Sequence, residues 1–354
     1  MKIWLEALTG KQSLLMHHLG TKLEEEGHEI FITTRPYSID RSNSNLDRLG
    51  RNYTSIGKYG GAKLMNKLIE GSKRIIELAT LIDKLKPELL ISFPSPDAFR
   101  TAFGLGIKSI QINDSPHSIA PGKLTISLSN ALVYSDAIDS SEFEKLGKTK
   151  HFTFHGVDEV LWIKNFIPNE AVLNKLGIEK NRYLVVRCEE SKAGYFQRLY
   201  PEFTPGDTIV TQIVDDLETQ NIDLKIVAFP RYPEQEEQLI AKNVIIPSRS
   251  VDTLSLFYFA KAVITGGGTM GREAALLGTP TLYTFPLELP VSYFVSNLGF
   301  PLIHCPNHNK ILEEIIKLIK SPKMDEEKRQ VLIDQIETPY IGLQKAISDL
   351  GNDL

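Results

Sequence analysis

The stretch that decides the fold reads Val263-Ile264-Thr265-Gly266-Gly267-Gly268-Thr269-Met270-Gly271-Arg272-Glu273-Ala274. Its apolar start predicts a buried strand, its three consecutive glycines a turn, and the residues that follow a helix. Ligands of open α/β sheets bind outside the carboxyl ends of the strands, where this turn would lie. Glycines let the backbone approach a ligand, and a helix N-terminus offers N–H groups and a positive dipole. We therefore predict a diphosphate site at Gly266, Gly267 and Gly268, with Glu273 in the first helical turn to accept hydrogen bonds from ribose hydroxyls.

Two other interpretations of these glycines stay open. Gly266, Gly268 and Gly271 satisfy the spacing G-x-G-x-x-G, which is typical of dinucleotide binding. That pattern belongs in the first strand-to-helix turn of its domain, and the first turn of this chain lacks it, so NAD binding is the weaker interpretation. The other alternative is a tight turn that binds nothing.

Strand and helix patterns alternate along almost the whole chain, which indicates parallel sheets with helical crossovers. The 354 residues exceed the roughly 150 of one domain. We therefore predict two doubly wound, Rossmann-like α/β domains that face a cleft. Residues 1–160 would form the first domain and residues 161–338 the second. Residues 339–354 would form a helix that returns to the first domain.

Composition narrows the class of protein. Forty Lys and Arg residues against 44 Asp and Glu give a formal charge of −4, and this disfavours a nucleic-acid binder. Two cysteines, Cys188 and Cys305, cannot form a disulfide framework, which fits a reducing cytoplasm. No apolar run approaches the roughly 20 residues that cross a bilayer. We expect a cytoplasmic protein with no integral membrane segment, and a homo-oligomer is compatible with the sequence.

Three cations follow strands predicted for the second half of the chain. Arg187 and Lys192 come after the apolar run that starts at Tyr183, and Arg231 comes after the next strand. Because the carboxyl ends of parallel strands meet at one edge of a sheet, we expect all three near the glycine turn. Arginine binds a phosphate through two hydrogen bonds, and lysine acts as a point charge. Solvated surface cations are the alternative, but three on one rim favour binding of the diphosphate.

Candidates for an acid–base group lie in the first half of the chain. Asp114 and His117 follow the strand predicted over residues 107–113, so both could reach one substrate hydroxyl. The alternative is ordinary turn chemistry, because Asn-Asp-Ser-Pro is also typical of loops. His151 and His155 would share one strand face, but no third ligand lies near them, so we predict no metal site and no resident cofactor.

The glycine turn, Glu273 and the run Ala275-Leu276-Leu277-Gly278-Thr279-Pro280 resemble the sugar-nucleotide site of GT-B enzymes. That group includes UDP-N-acetylglucosamine 2-epimerase and the lipid-linked N-acetylglucosaminyltransferase of peptidoglycan synthesis. The resemblance implies a GT-B-like fold. It also implies that Gly267, Gly268 and Thr269 bind the diphosphate and that Glu273 binds the ribose.

More closely, the chain resembles an uncharacterised, mainly archaeal family of predicted glycosyltransferases. The segments that carry this resemblance are Gly27-His28-Glu29-Ile30, Ile56-Gly57-Lys58-Tyr59-Gly60-Gly61, Asn113-Asp114-Ser115-Pro116-His117, Val186-Arg187-Cys188-Glu189-Glu190-Ser191-Lys192-Ala193 and Pro230-Arg231-Tyr232. Members of the family carry an Asp-Leu-Gly-Asn-Pro-Pro-His-like segment after the first strand. This chain has Glu6-Ala7-Leu8-Thr9-Gly10-Lys11-Gln12-Ser13 there, in a loop that would face the acceptor side.

These observations favour a glycosyltransferase that uses a nucleotide-diphosphate sugar, UDP-linked, without a metal, with Asp114 or His117 as the base. The acceptor is not specified. The first alternative is a UDP-N-acetylhexosamine 2-epimerase-like enzyme, which needs several carboxylates, and the sequence shows no clear copy of the epimerase's acidic set. The second is a sugar-nucleotide-binding protein without catalytic activity, which the altered first loop makes plausible.

Overall fold

The computed structural model describes residues 1–36, 42–61, 63–189, 208–248 and 251–351. The chain forms two compact units. The first consists of Met1–Trp162 together with the segment that begins at Ile336, and the second consists of Ile163–Gln335.

The first unit contains a seven-stranded parallel sheet in the order β3-β2-β1-β4-β5-β6-β7. Its strands β1–β7 are Lys2–Ala7, Glu29–Thr34, Thr54–Ser55, Leu89–Ser92, Lys108–Ile112, Ala131–Ser135 and Lys150–Phe154. The central strands β1, β4 and β5 are buried on both faces, as expected where helices cover both sides of a parallel sheet. The order places the carboxyl ends of β1, β4 and β5 side by side at one edge.

Helices α1–α7 follow or precede these strands, and a short 3-10 helix spans Ile126–Leu128. The helices are Gly10–Glu25, Ser42–Arg48, Leu64–Leu85, Pro96–Gly104, Ile119–Thr125, Ser140–Glu144 and Val160–Ile163. Trp4, Leu78, Leu90 and Phe99 form part of a core between the sheet and helices α3 and α4.

The second unit contains a five-stranded parallel sheet in the order β12-β11-β10-β8-β9. Strands β8–β12 are Tyr183–Arg187, Lys225–Phe229, Ala262–Thr265, Thr281–Tyr283 and Leu302–His304. Helices α8–α15 are Ala171–Leu176, Ile209–Thr219, Pro233–Ala241, Thr253–Phe259, Gly268–Leu276, Pro290–Asn297, His308–Lys320 and Glu326–Asp334. This unit has its own core, built around Leu184, Ile213, Ile264 and Ile315.

A last helix, α16 (Pro339–Gly351), packs on β6 and β7 of the first unit. A Cβ atom at Gly342 would lie 2.7 Å from Val133 Cγ1, so the absence of a side chain lets the helix approach the sheet closely. Lys150 Nζ pairs with Asp349 at 2.8 Å, and Lys108 Nζ donates to the Leu350 carbonyl at 2.9 Å.

The predicted fold class, two α/β domains with parallel sheets, is confirmed. The apolar residues 244–246 have the pattern of a short strand, but they make only an isolated bridge, between Ile245 and Val227. Ile245 lies beside the edge strand β9, and Pro247, which has no N–H group, follows two residues later. In the described ranges, no helix combines the length and apolar composition that crossing a bilayer requires.

Candidate functional site

The glycine turn joins β10 to α12 in the second unit. Gly267 is the N-cap residue of α12, with extended backbone, and Thr265 Oγ1 accepts a hydrogen bond from its N–H at 3.2 Å. A Cβ at Gly266 would lie 3.2 Å from the Glu189 Cα, and one at Gly268 only 2.5 Å from Leu289 Cδ1. Packing against the protein therefore accounts for glycine at these two positions but not at Gly267.

Among the residues that the structure describes, the nearest atom to a Cβ at Gly267 would be Arg231 Nη2, at 3.9 Å, so these residues leave space open there. A guanidinium group thus lies next to the N-terminus of α12, where backbone N–H groups and the helix dipole favour an anion. Such an arrangement is chemically suited to hold a phosphate.

Arg187 and Arg231 are both held by backbone carbonyls at the carboxyl edge of the sheet. Arg187 is the last residue of β8 and pairs in register with Thr265, and its Nη1 donates to the carbonyls of Phe229 and Pro230 at 3.2 Å each. Arg231 Nε donates to the Cys188 carbonyl at 3.2 Å. The structure therefore brings two of the three predicted cations to the glycine turn, and the third, Lys192, lies outside the described residues.

Glu273 lies one helical turn after Thr269 on α12, and its side chain is buried. The expectation that it occupies the first turn is wrong, because the helix begins at Gly268 and Glu273 falls in the second turn. Since residues four apart share a helix face, Thr269 and Glu273 still lie on the same side of α12.

Glu189 is a buried carboxylate next to the turn that sequence reasoning did not single out as a functional residue. Its oxygens accept hydrogen bonds from Thr208 Oγ1 at 2.8 Å and from the Ile209 N–H at 3.0 Å, at the start of α9. Burial raises the pKa of Glu189, against the lowering effect of these hydrogen bonds. Its bonds tie the end of β8 to the N-terminus of α9, so its role is to fix the backbone behind Gly266.

In the first unit, three carboxylates gather around the ammonium group of Lys11. Lys11 Nζ contacts Asp114 Oδ2, lies 2.8 Å from Asp158 Oδ2 and 3.6 Å from Glu159 Oε1. It also lies 5.0 Å from the centre of the Phe93 ring. Lys11 comes from the first turn of α1, Asp114 from the loop after β5, and Asp158 and Glu159 from the segment between β7 and α7. We call these four residues the Lys11 cluster.

Within the Lys11 cluster, Asp158 has a pKa above the ordinary value of an aspartate. Burial, together with the negative charges of Asp114 and Glu159, raises the pKa of Asp158 to about 6, although Lys11 acts in the opposite direction. A carboxyl group with a pKa near neutrality can accept and return a proton under physiological conditions. The cluster therefore has the composition of an acid–base site.

The two predicted acid–base candidates differ in their surroundings. Asp114 is 12% exposed, belongs to the Lys11 cluster, and accepts a hydrogen bond from Ser115 Oγ at 2.7 Å. His117, three residues later in the same loop, is exposed. Lys11, Asp158 and Glu159 were not predicted as site residues. Two adjacent acids a few residues after a strand were the available signal.

A neighbouring buried network explains the start of the unusual first loop. Glu6 Oε1 accepts from Arg74 Nη1 at 2.8 Å and from Ser95 Oγ at 3.1 Å, and Thr33 Oγ1 donates to Glu6 Oε2. Arg74 Nη1 also lies 3.5 Å from Asp97 Oδ2. Both Glu6 and Arg74 are fully buried, so Glu6 serves the interior of the unit. The part of the chain that the structure describes contains no group of three or more His, Cys, Asp or Glu side chains arranged to hold a metal ion.

A family described as "Protein of unknown function (DUF354)" matches residues 1–341 of the chain. The chain belongs to this family. It is 33% identical over 300 residues to the uncharacterized protein MJ0665 of Methanocaldococcus jannaschii, covering 82% of this chain and 83% of that protein. The predicted resemblance to an uncharacterised family with an archaeal member is confirmed.

Solved structures of this fold include enzymes that act on sugar nucleotides. The UDP-GlcNAc 2-epimerase of M. jannaschii, solved with UDP-GlcNAc and UDP, superposes with a TM-score of 0.69 at 16% identity, over 94% of this chain and 99% of that one. The Neisseria meningitidis UDP-GlcNAc 2-epimerase bound to UDP-GlcNAc gives 0.68 at 15% identity, over all of both chains. Spinosyn forosaminyltransferase SpnP gives 0.59 at 13% identity, over 99% of both chains. At these identities the similarity establishes the GT-B-like fold of this DUF354 protein.

Proposed function

We propose that this DUF354 protein binds a UDP-linked sugar and breaks the bond between its anomeric carbon and the diphosphate, without a metal. The observation that carries the proposal is the position of the Arg231 guanidinium beside Gly267 at the N-terminus of α12. Two structural neighbours, solved with UDP-GlcNAc and UDP and with UDP-GlcNAc, support the choice of nucleotide.

Binding and departure of the diphosphate need positive charge that is already in place. The backbone N–H groups at Gly268 and Thr269, the helix dipole and Arg231 would supply it, with Arg187 close by. These groups bind a free diphosphate more strongly than an esterified one, because departure of the sugar adds a negative charge. They would therefore stabilise the leaving group in the transition state. Glu273, one turn further along α12, would bind the ribose hydroxyls.

The first reaction we propose is glycosyl transfer. An acceptor hydroxyl attacks the anomeric carbon, the bond to the diphosphate breaks, and the hydroxyl proton passes to a carboxylate base. Asp114 is our choice for the base, because it belongs to the Lys11 cluster while His117 is exposed. Lys11 would hold Asp114 in position between turnovers.

One observation favours a second reaction, 2-epimerisation of a UDP-N-acetylhexosamine. This chemistry removes the proton at C2 as UDP leaves and later returns it on the opposite face, so it needs more than one acid–base group. The sequence shows no clear acidic set, yet the structure groups Asp114, Asp158 and Glu159 around one lysine. Asp158, with a pKa raised to about 6, suits proton transfer in both directions.

Titration calorimetry with UDP tests the common part of the proposal. Arg231→Ala should weaken UDP binding about 10- to 100-fold, because it removes a charge-assisted hydrogen bond to the diphosphate. Arg182→Ala is the matched control: Arg182 precedes the same sheet's β8 at its amino end and pairs with Asp223 at 2.6 Å. Equal affinity in the wild type and Arg231→Ala, or no heat with any nucleoside diphosphate, would overturn the assignment.

Incubation with UDP-N-acetylglucosamine separates the reactions. UDP release that depends on an added acceptor supports transfer, and a new sugar epimer supports 2-epimerisation. Tight binding with no product across acceptor classes would instead identify a sugar-nucleotide-binding protein without catalytic activity.

A further inference from the structure

Large apolar side chains cover the start of α3 and face solvent. Leu64, Met65 and Leu68 are 82%, 66% and 68% exposed, and Ile69 and Ile76 are also exposed. All residues from Lys63 to Ile69 are exposed, so the first turns of this helix extend beyond the core that its later residues Leu78 and Ile82 help to build. Contiguous exposed apolar surface of this kind marks an interaction site.

The exposed apolar residues occupy one side of α3. At 3.6 residues per turn, Leu64, Leu68, Met65, Ile76 and Ile69 fall within about 140° of the helix circumference. The acidic residues of this region, Glu70 and Glu77, point roughly to the opposite side by the same geometry. Leu64 falls at the same angle as the buried core residue Ile82, so the exposed apolar strip adjoins the face of α3 that packs on the core.

The charge around this surface is positive. No Asp or Glu occurs between Asp47 and Glu70, although the whole chain carries a formal charge of −4. Lys58, Lys63 and Lys67 are exposed, and within the described ranges none of them forms an ion pair. We call Leu64, Met65, Leu68 and Ile69, with Lys58, Lys63 and Lys67, the α3 tip.

The α3 tip is held in place by the loop that precedes it. A Cβ at Gly60 would lie 2.6 Å from the Lys67 Cα, so this loop packs directly against the helix backbone. A Cβ at Gly57 would meet the side chain of Arg74 at 2.8 Å, and Arg74 is anchored to Glu6. The apolar side chains are therefore presented by a preformed helix, and docking needs little ordering of the backbone.

We propose that the α3 tip docks this protein onto the surface of an anionic lipid bilayer. Helices that lie in the membrane interface combine exposed apolar side chains with flanking lysines, and each lysine near an anionic surface adds about 1 kcal/mol. A second copy of the chain fits less well. A second copy would bring an equally positive surface against this one, whereas an anionic bilayer complements its charge. This inference does not depend on the proposed function.

Sedimentation with vesicles of phosphatidylcholine and phosphatidylglycerol tests the proposal. The wild type should bind vesicles rich in phosphatidylglycerol and bind pure phosphatidylcholine several-fold more weakly, and salt should reduce the binding. Leu64→Ser/Leu68→Ser should lower the partition coefficient at least about tenfold, because it removes two apolar side chains that would enter the interface. Lys63→Glu/Lys67→Glu should also lower it about tenfold or more, selectively for anionic vesicles.

The control is Ile167→Ser/Ile240→Ser, which removes apolar residues that are 84% and 61% exposed in the second unit. This variant should bind vesicles as the wild type does. Unchanged circular dichroism would show that the tip variants are folded. Equal binding by the tip variants and the wild type would overturn the proposal, as would absence of vesicle binding. A wild-type dimer that the tip variants convert to a monomer, without vesicle binding, would assign the surface to a second copy.

Discussion

Asp158 combines almost complete burial with three charged neighbours, and its titration affects both chemistry and stability. Lys11 lies 2.8 Å away, yet burial and the two nearby carboxylates outweigh it and raise the pKa of Asp158 to about 6. In the unfolded chain the group titrates near its ordinary value of about 3.9. The folded state therefore holds the proton more tightly than the unfolded state.

The expected consequence is a pH-dependent effect of Asp158→Asn. The proton bound by the folded state contributes stability that is fully present below about pH 4 and is lost as pH rises through about 6. Asparagine does not titrate, and Lys11 keeps Asp114 and Glu159 as partners. From pH 4 to pH 8 the free energy of unfolding of Asp158→Asn should therefore rise relative to the wild type, by on the order of 2 kcal/mol.

Urea unfolding followed by tryptophan fluorescence measures this difference, because both tryptophans of the chain, Trp4 and Trp162, are buried in the first unit. Asp83→Asn, at an exposed position of α3 in the same unit, is the control and should give a flat difference. A flat profile for Asp158→Asn as well would show that the Lys11 cluster does not raise this pKa.

The sequence predicted which residues lie at the ends of strands. It did not predict which residues from different parts of the chain contact each other there. Asp114 was predicted because it directly follows the strand predicted over residues 107–113. Its partner Lys11 is 103 positions away, and their contact depends on the order of the strands in the sheet. Propensity and periodicity do not report that order, so the Lys11 cluster could not be assembled from the sequence.

Among the elements, the turn between β10 and α12 allows stability and binding to be separated. Gly267 has open space and extended backbone, so alanine fits there. Gly268 has no such space, because its Cβ would lie 2.5 Å from Leu289 Cδ1 and 2.8 Å from Arg272 Nη1.

Gly267→Ala should leave the thermal unfolding temperature within about 1–2 °C of the wild type and weaken UDP binding about tenfold or more, because its methyl group occupies the approach to the helix N-terminus. Gly268→Ala should lower the unfolding temperature, since the overpacked methyl group costs about 1–3 kcal/mol. Differential scanning calorimetry with and without UDP measures both. Undiminished UDP affinity in Gly267→Ala would argue against a phosphate at this turn.

Element boundaries show the limits of sequence reasoning on this scale. The buried strand predicted before the glycine turn is present at Ala262–Thr265. A short apolar run between turn residues is typical of a buried strand. The helix after it starts one residue earlier than predicted, with Gly268 as its first residue and Gly267 as its cap. Glu273 is the sixth residue of this helix and lies in its second turn. Glycine carries no side-chain capping signal, so the sequence gives little information about where such a helix begins.

For the whole molecule, the α/β class followed from the alternation of strand patterns with helix patterns. Continuous apolar runs and amphipathic helices alternate in both halves of the chain. The order of the strands was not available from the same patterns. The chain leaves the first unit after Trp162 and returns to it at Ile336, so the first unit is built from two separate segments.

This path of the chain predicts that the stability of the first unit depends on the last segment of the chain. Helix α16 covers β6 and β7 with buried Leu343, Ala346 and Leu350. A chain that ends at Gln335 should lose on the order of 5 kcal/mol of unfolding free energy in the first unit, since each large buried side chain contributes about 1.5–3 kcal/mol. Tryptophan fluorescence during urea unfolding reports on this unit alone.

Two matched substitutions on α16, one at a buried and one at an exposed position, distinguish the loss of docking from a general effect of shortening the chain. Leu343 is fully buried and Ile341 is 37% exposed. Leu343→Ala should lower the free energy of unfolding by about 2–5 kcal/mol, whereas Ile341→Ala should change it by less than about 1 kcal/mol. Similar small effects for both variants, with an unchanged transition in the shortened chain, would mean that β6 and β7 do not need this helix. Because α16 lies more than 170 residues from the rest of its unit along the chain, its docking closes a long loop, and we expect it late in refolding. Variants that weaken the docking should therefore slow refolding of the first unit less than they speed its unfolding.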